Sequence, residues 1–217
     1  GISEIPLVVY LASRVGPGTG IPTYNMQGDL DIALRARHGE FPRIVIAPGD
    51  PLETIEVTNQ AFYLSERYKA LSIILSDKHI AESEFSTSLK PTKPLKIKVQ
   101  REVPGEPNTI VKGTSYEHNQ YGITTEDPTI AFNNANKRLE KYEQIKKACT
   151  NLPMIKIHGK KDSKNLIIAW GSPKGAILDA IKDLDAKFLQ VIYMKPMSNQ
   201  IKKEIQKANK TILIESN

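Results

Sequence analysis

Short apolar runs alternate with helical patterns along the first third of the chain. Continuous apolar runs lie at residues 6–12, 43–47 and 71–75. Each is too short for a helix and is typical of a buried parallel strand. Between the second and third runs, apolar residues recur at helical spacing after Asp50, which can cap a helix whose first residue is Pro51. This alternation predicts an α/β domain with a parallel sheet.

The last third of the chain repeats the alternation on a smaller scale. Strands are predicted at 166–170, 188–193 and 211–214, and the helices between them are predicted to follow the caps Ser172 and Ser198. This part is therefore expected to form a second, smaller α/β unit with a parallel sheet.

The middle of the chain differs in composition from both ends. Prolines and lysines are frequent between residues 82 and 107, which predicts a linker with one or two edge strands, at 95–99 and 109–111. A charged amphipathic helix is predicted from the Asp127-Pro128 cap to about Lys147. The predicted organisation has three parts, residues 1–85, 86–150 and 151–217.

Composition and charge narrow the classes of function. No apolar run of the 217 residues approaches the roughly 20 that a membrane span needs, so no membrane role is expected. The formal net charge is +6. The lysines are spread among acids without interleaved aromatic residues, so a nucleic-acid partner is not expected. Two interpretations of the charge remain open, a basic surface without a specific partner and a docking face for an acidic one.

The single cysteine, Cys149, excludes an internal disulfide and fits a reducing cytoplasm. It also excludes an iron–sulfur cluster held by this chain alone, because the common types take four cysteine ligands. The histidines show no metal-ligand spacing. Any metal or cluster is therefore expected on another chain. Because predicted strands lie close to both chain ends, the sequence is also expected to be a fragment or a processed subunit.

A glycine-rich segment after the first predicted strand carries the candidate chemistry. The glycines of residues 16–20 allow the backbone to approach a ligand, and Arg14 offers a planar cationic fork for a carboxylate or phosphate. Neutral hydrogen-bond partners come from Thr19, Thr23 and Gln27. Ligands bind at the carboxyl ends of parallel strands, which favours an anion-binding loop here. A long structured turn with Arg14 in a surface ion pair is the alternative.

Several motifs together resemble a known family. They are residues 14–20, Pro22-Thr23, residues 27–30, residues 38–42, residues 76–78, Glu117-His118, Tyr121-Gly122, residues 126–128 and residues 170–172. In this order, and over nearly the whole chain, they resemble the alpha subunit of 2-oxoacid:ferredoxin oxidoreductases. The resemblance implies the rear part of a thiamine-diphosphate pyrimidine-binding domain, followed by a connector and a smaller domain like the C-terminal domain of transketolase.

The resemblance also implies an activity. Such enzymes decarboxylate a 2-oxoacid such as pyruvate or 2-oxoglutarate with thiamine diphosphate and Mg²⁺, pass the acyl group to coenzyme A and reduce ferredoxin through iron–sulfur clusters. By resemblance, Arg14 binds the substrate carboxylate, and Thr19 and Thr23 line the same pocket. Gln27 and His38 are further candidates for substrate binding. For His38, a packed or hydrogen-bonded histidine is the alternative to a proton shuttle.

Two parts of the family pattern are missing from the sequence. The upstream half of the subunit, with the glutamate that activates thiamine, is not in this sequence, and Gly28-Asp29-Leu30 and Gly49-Asp50-Pro51 both break the diphosphate–magnesium signature. In the family that signature lies on the beta chain. The resemblance therefore implies a hetero-oligomer with a beta subunit and a cluster-bearing chain. Two alternatives remain, a non-catalytic assembly or regulatory module and a stand-alone anion-binding domain.

Overall fold

The computed structural model describes residues 1–99, 101–107 and 109–216. The first part of the chain contains β1 (Leu7–Val15), β2 (Ile21–Asn25), α1 (Leu30–Arg35), β3 (Arg43–Ile46), α2 (Pro51–Tyr68), β4 (Leu71–Asp77) and α3 (Lys78–Glu82). The second part contains α4 (Pro128–Cys149), β5 (Ile155–Gly159), β6 (Asn165–Ala169), α5 (Lys174–Ala180), β7 (Lys187–Val191), β8 (Tyr193–Lys195), α6 (Asn199–Lys207) and β9 (Lys210–Leu213).

The first sheet has the strand order β2-β1-β4-β3-β8. Its three central strands are parallel, and β2 and β8 run antiparallel at its edges. All four residues of β3 are buried, as its continuous apolar run predicts. Because Leu7–Ser13 of β1 lies in register with Leu71–Asp77 of β4, the carboxyl ends of these strands share one edge of the sheet.

The second sheet has the order β5-β7-β6-β9, with β5 antiparallel to β7 and the other pairs parallel. The predicted α/β class is confirmed. The strand predicted at 188–193 is divided, since β7 ends at Val191 and Tyr193 begins β8, which pairs with β3 of the first sheet. The chain thus returns from the second sheet to the edge of the first.

The two sheets share a hydrophobic core. Val45 and Leu75 of the first sheet belong to the same buried cluster as Leu166, Trp170 and Leu189 of the second unit. The predicted division into three parts stays a prediction, but the cluster and β8 both cross its boundaries. Burial of this shared apolar surface stabilises the two units together.

The two edge strands predicted in the connector are wrong, because residues 95–99 and 109–111 form no strand in the structure. A helix side chain binds this backbone instead. The amide of Asn59 donates to the Leu95 carbonyl at 3.1 Å and accepts from the Leu95 N–H at 2.7 Å. The Thr92 N–H donates to Glu56 at 2.9 Å. These side chains satisfy backbone groups that a neighbouring strand would otherwise bind.

Helix α4 forms where the Asp127-Pro128 cap predicts it. The Asp127 carboxylate accepts hydrogen bonds from the Thr129 and Ile130 N–H groups at 2.9 and 3.0 Å. The cap predicted at Ser198 is confirmed, whereas Ser172 makes no capping hydrogen bond to α5. Within the described ranges, no helix combines the length and apolar character that a membrane span requires.

Candidate substrate-binding site

Most of the predicted glycine-rich loop is a β-hairpin. The strand β1 extends to Val15, and β2 returns antiparallel to it, with Arg14 opposite Asn25 and Val15 opposite Ile21. The Asn25 side chain accepts a hydrogen bond from the His79 N–H of α3 at 3.1 Å. The hairpin therefore extends from the carboxyl edge of the first sheet and is fixed to the helix beside it.

The turn of the hairpin depends on glycine. Gly18 and Gly20 have φ angles of +61° and +49°, the left-handed region that glycine adopts without steric cost. A Cβ atom at Gly20 would overlap the Val15 carbonyl oxygen, whereas nothing lies within 4 Å of a Cβ at Gly18. Close approach of the two backbones thus requires glycine at position 20 in particular.

Arg14 lies on this hairpin with its side chain exposed. Within the described ranges its side chain makes no hydrogen bond or ion pair, which contradicts the alternative of a surface ion pair. Thr23 lies on β2 within the irregular part of the pairing between Ile21 and Asn25, and it is exposed. Thr19 is exposed in the turn. The hairpin thus offers an unpaired guanidinium and neutral hydroxyls to solvent.

Gln27 is held by hydrogen bonds to the second unit of the chain. Its side chain is buried, its amide donates to the Trp170 carbonyl at 2.8 Å, and its carbonyl accepts from the Ser216 N–H at 2.9 Å. The Gln27 N–H donates to the Ser216 carbonyl at 2.9 Å. These bonds connect the end of the hairpin to the second unit, so Gln27 fixes the position of the hairpin from behind.

His38 lies apart from the hairpin in the segment between α1 and β3. It is exposed, and its neighbours Arg37 and Glu40 form an ion pair. In the part of the chain that the structure describes, no hydrogen bond joins His38 to the hairpin. The structure therefore brings Arg14, Thr19 and Thr23 onto one hairpin and leaves His38 outside it.

Asp77 is a candidate residue that sequence reasoning did not single out. It ends β4 opposite Ser13 and is fully buried. One carboxylate oxygen accepts from the Ile80 N–H at 3.0 Å, and the other has no hydrogen-bond partner in the described structure. Buried polar atoms rarely lack a partner. An unpaired hydrogen-bond acceptor of this kind therefore distinguishes the carboxyl edge of the sheet in the described structure. Its only sequence signal is the Ser76-Asp77-Lys78 segment.

A buried ionic cluster lies at the end of β3, where the two units meet. Glu53 of α2 accepts hydrogen bonds from Lys156 at 2.8 Å, Lys174 at 2.7 Å and Gln190 at 2.6 Å. Lys174 also pairs with Asp50. Burial alone would raise the pKa of Glu53, but the hydrogen bonds from Lys156 and Lys174 outweigh it and lower the pKa to about 2. From the sequence, only the helix cap at Asp50 is predicted here.

The described side chains form no cluster of metal ligands. Among them, no group of three or more His, Cys, Asp or Glu residues could hold a metal ion. Burial raises the pKa of the Cys149 thiol to about 12, which disfavours the thiolate that a cluster requires. The single cysteine therefore cannot hold an iron–sulfur cluster of four cysteine ligands.

Comparison with known proteins identifies relatives of this architecture. The family model described as "Pyruvate flavodoxin/ferredoxin oxidoreductase, thiamine diP-bdg" matches residues 1–152. The alpha subunit of 2-oxoacid:ferredoxin oxidoreductase 1 from Sulfurisphaera tokodaii is 32% identical over the whole chain. The 2-oxoacid:ferredoxin oxidoreductase alpha subunit from Saccharolobus solfataricus is 35% identical over 93% of the chain.

A solved structure agrees with these matches. The 2-oxoglutarate:ferredoxin oxidoreductase from Magnetococcus marinus, with 2-oxoglutarate, coenzyme A and succinyl-CoA bound, superposes over the whole chain with a TM-score of 0.81 and 26% identity. The chain covers 42% of that protein, and it covers 39% and 35% of the two alpha subunits. The chain therefore belongs to the 2-oxoacid:ferredoxin oxidoreductase family and corresponds to part of its alpha subunit.

Proposed function

We propose that this chain supplies the carboxylate-binding part of the 2-oxoacid pocket in a thiamine-diphosphate-dependent 2-oxoacid:ferredoxin oxidoreductase. The observation that carries the proposal is the position of Arg14. Its guanidinium is exposed at the carboxyl edge of a parallel sheet, without an ion pair in the described structure. Parallel sheets bind ligands at this edge, and the family's substrates are small anions.

The geometry of the hairpin suits a 2-oxoacid. A guanidinium can donate two parallel N–H bonds to one carboxylate, which fixes the orientation of the anion as well as its position. Thr23 of β2 and Thr19 in the turn are both exposed on this hairpin, and their hydroxyl groups can donate hydrogen bonds to the remaining oxygens. An anion held in this way presents its keto carbon in one direction, and fixed orientation accelerates a reaction with a neighbouring group. His38, which is exposed in the segment between α1 and β3, is a further candidate for this pocket.

Other chains would complete the enzyme. In this proposal a beta subunit binds the diphosphate of thiamine diphosphate with Mg²⁺, and a cluster-bearing chain passes electrons to ferredoxin in a cytoplasmic hetero-oligomer. Thiamine diphosphate supplies the carbanion chemistry of decarboxylation, and coenzyme A accepts the acyl group. The thiamine-diphosphate description of the matching family model and the coenzyme A bound to the structural relative support this assignment.

The proposal is tested by 2-oxoacid-dependent ferredoxin reduction in a complex that contains this chain and its partner subunits. Arg14→Ala is expected to raise the KM for pyruvate or 2-oxoglutarate about 100-fold, because a charged hydrogen bond of roughly 2–3 kcal/mol is lost. Arg14→Lys should recover only part of the loss, since an ammonium cannot bind the carboxylate in the same two-bonded manner.

Arg35→Ala is the matched control, because Arg35 is also an exposed arginine but pairs with Asp31 on α1. It should leave the KM unchanged. Activity that is indifferent to Arg14→Ala would refute the site assignment. An assembled complex without any 2-oxoacid oxidation would favour the non-catalytic assembly module.

A further inference from the structure

Asn25 lies directly opposite Arg14 in the hairpin of β1 and β2, and both residues are exposed. The side chains of directly opposed residues in an antiparallel pair project from the same face, with their Cβ atoms about 5 Å apart. An anion that is bound to the guanidinium of Arg14 can therefore also contact the side-chain amide of Asn25.

The orientation of this amide is fixed by α3. The Asn25 Oδ1 atom accepts a hydrogen bond from the His79 N–H at 3.1 Å. A backbone N–H group can only donate, so the amide atom that faces α3 must be the oxygen. The Nδ2 atom on the other branch of the amide makes no hydrogen bond within the described ranges. Asn25 therefore offers two N–H donors to a ligand, because its acceptor is already bound.

We propose that Asn25 is a further substrate-binding residue, whose side-chain N–H groups donate to the 2-oxoacid that Arg14 holds. This inference rests on the proposed function, because Arg14 supplies the charge that selects an anion. The carboxylate and keto oxygens of a 2-oxoacid only accept hydrogen bonds, so a donor beside the guanidinium matches the oxygens that the guanidinium leaves free.

The bond to His79 also orients the amide before a substrate binds. Less side-chain freedom is then lost on binding, which strengthens the contact. The hydroxyl groups of Thr19 and Thr23 can donate or accept, whereas the oriented amide of Asn25 can only donate to a ligand. Asn25 thus favours a ligand rich in acceptor oxygens. The alternative role is structural, in which the same bond only fixes the hairpin to α3 and so positions Arg14.

Steady-state kinetics of the complex of this chain with its partner subunits distinguish the two roles. Asn25→Ala is expected to lower kcat/KM for pyruvate or 2-oxoglutarate about tenfold, mainly through KM, because a hydrogen bond to a charged ligand is lost. The same substitution is then made in Arg14→Ala. An amide that contacts the substrate should still cause a further loss of several-fold there, whereas an asparagine that only positions Arg14 should cause none.

Asn25→Asp in the Arg14→Ala background is the second variant. Its carboxylate keeps an acceptor for the His79 N–H, loses both donors and has no arginine opposite it to pair with. It should lower kcat/KM at least as much as Asn25→Ala does, and amide hydrogen exchange at His79 verifies that the hairpin stays bound to α3. Asn133→Ala is the matched control, because Asn133 is an exposed asparagine of α4 without a side-chain hydrogen bond in the described structure. It should leave kcat/KM unchanged.

Two results would overturn this inference alone. One is an effect of Asn25→Ala that disappears in the Arg14→Ala background, and the other is an unchanged kcat/KM for Asn25→Asp in that background. Both leave the proposed function in place as long as Arg14→Ala by itself impairs the enzyme. A complex that is indifferent to Arg14→Ala, or that oxidises no 2-oxoacid, would overturn the proposed function and this inference with it.

Discussion

At the scale of single residues, the chemistry of Glu53 is set by its neighbours rather than by its type. Its carboxylate is almost fully buried and receives hydrogen bonds from two lysines, so its pKa falls from 4.5 to about 2. A carboxyl group with a lowered folded pKa contributes stability above its unfolded pKa, and this contribution is lost as the pH falls through the folded value. Glu53 should therefore contribute about 3 kcal/mol at neutral pH, lost between about pH 5 and pH 2.

Glu53→Gln tests this expectation. The amide leaves Lys156 and Lys174 without part of their compensating charge, so the free energy of unfolding at pH 7 should fall by about 3 kcal/mol or more. The free energy of unfolding, measured with urea from pH 7 to pH 2.5, should also fall less steeply with decreasing pH in the variant. Glu143→Gln, at an exposed glutamate of α4, should change neither the free energy of unfolding at pH 7 nor its pH dependence. An equally steep decrease toward acid pH in the unmodified protein and in Glu53→Gln would mean that another carboxylate dominates the pH dependence.

At the scale of elements, the hairpin of β1 and β2 depends on one glycine more than on the other. Gly20→Ala would force a Cβ into the backbone of Val15, whereas Gly18→Ala meets open space and only the cost of a positive φ, about 1 kcal/mol. Amide hydrogen exchange should therefore show loss of protection at Arg14 and Asn25 in Gly20→Ala but not in Gly18→Ala. Equal protection in the two variants would show that the turn adjusts at little cost.

The same hairpin shows where prediction from the sequence succeeds and where it ends. Arg14 could be selected because it follows an apolar run and lies beside glycines, although the strand β1 of that run is partly exposed rather than buried as its pattern predicts. The strand pairing of residues 21–25 could not be predicted, because glycine and proline occur both in the turns of hairpins and in irregular loops. Gln27 was selected for its polarity, yet its bonds go to Trp170 and Ser216, residues distant in sequence.

The prediction of strands in the connector was wrong for a related reason. A short apolar segment predicts a strand only if a neighbouring strand accepts its hydrogen bonds, and the sequence does not show which neighbour is present. For Leu95 that neighbour is the side-chain amide of Asn59, which binds both backbone groups of the residue. The buried strands β3 and β4 were predictable because burial alone determines their apolar runs.

At the scale of the whole molecule, the shared core makes the two units one cooperative structure. Leu75 of the first sheet and Leu189 of the second lie in one buried cluster, and β8 joins the first sheet directly after β7 in the second. Opening either unit would expose apolar surface of the other. Unfolding should therefore be a single transition, with the fluorescence of Trp170, the only tryptophan, coinciding with far-UV circular dichroism.

A substitution in the first sheet tests whether the two units unfold together. Ile74→Val removes one methyl group from a buried position of β4 and should cost about 1 kcal/mol. If the units unfold together, the urea midpoint seen by Trp170 in the second unit must fall by the same amount as the midpoint seen by circular dichroism. Ile55→Val, at a side chain of α2 that is 58% exposed, should move neither midpoint. A Trp170 transition that stays in place while the dichroism shifts would show two independent domains, because the second unit would then keep its structure after the first had lost its own.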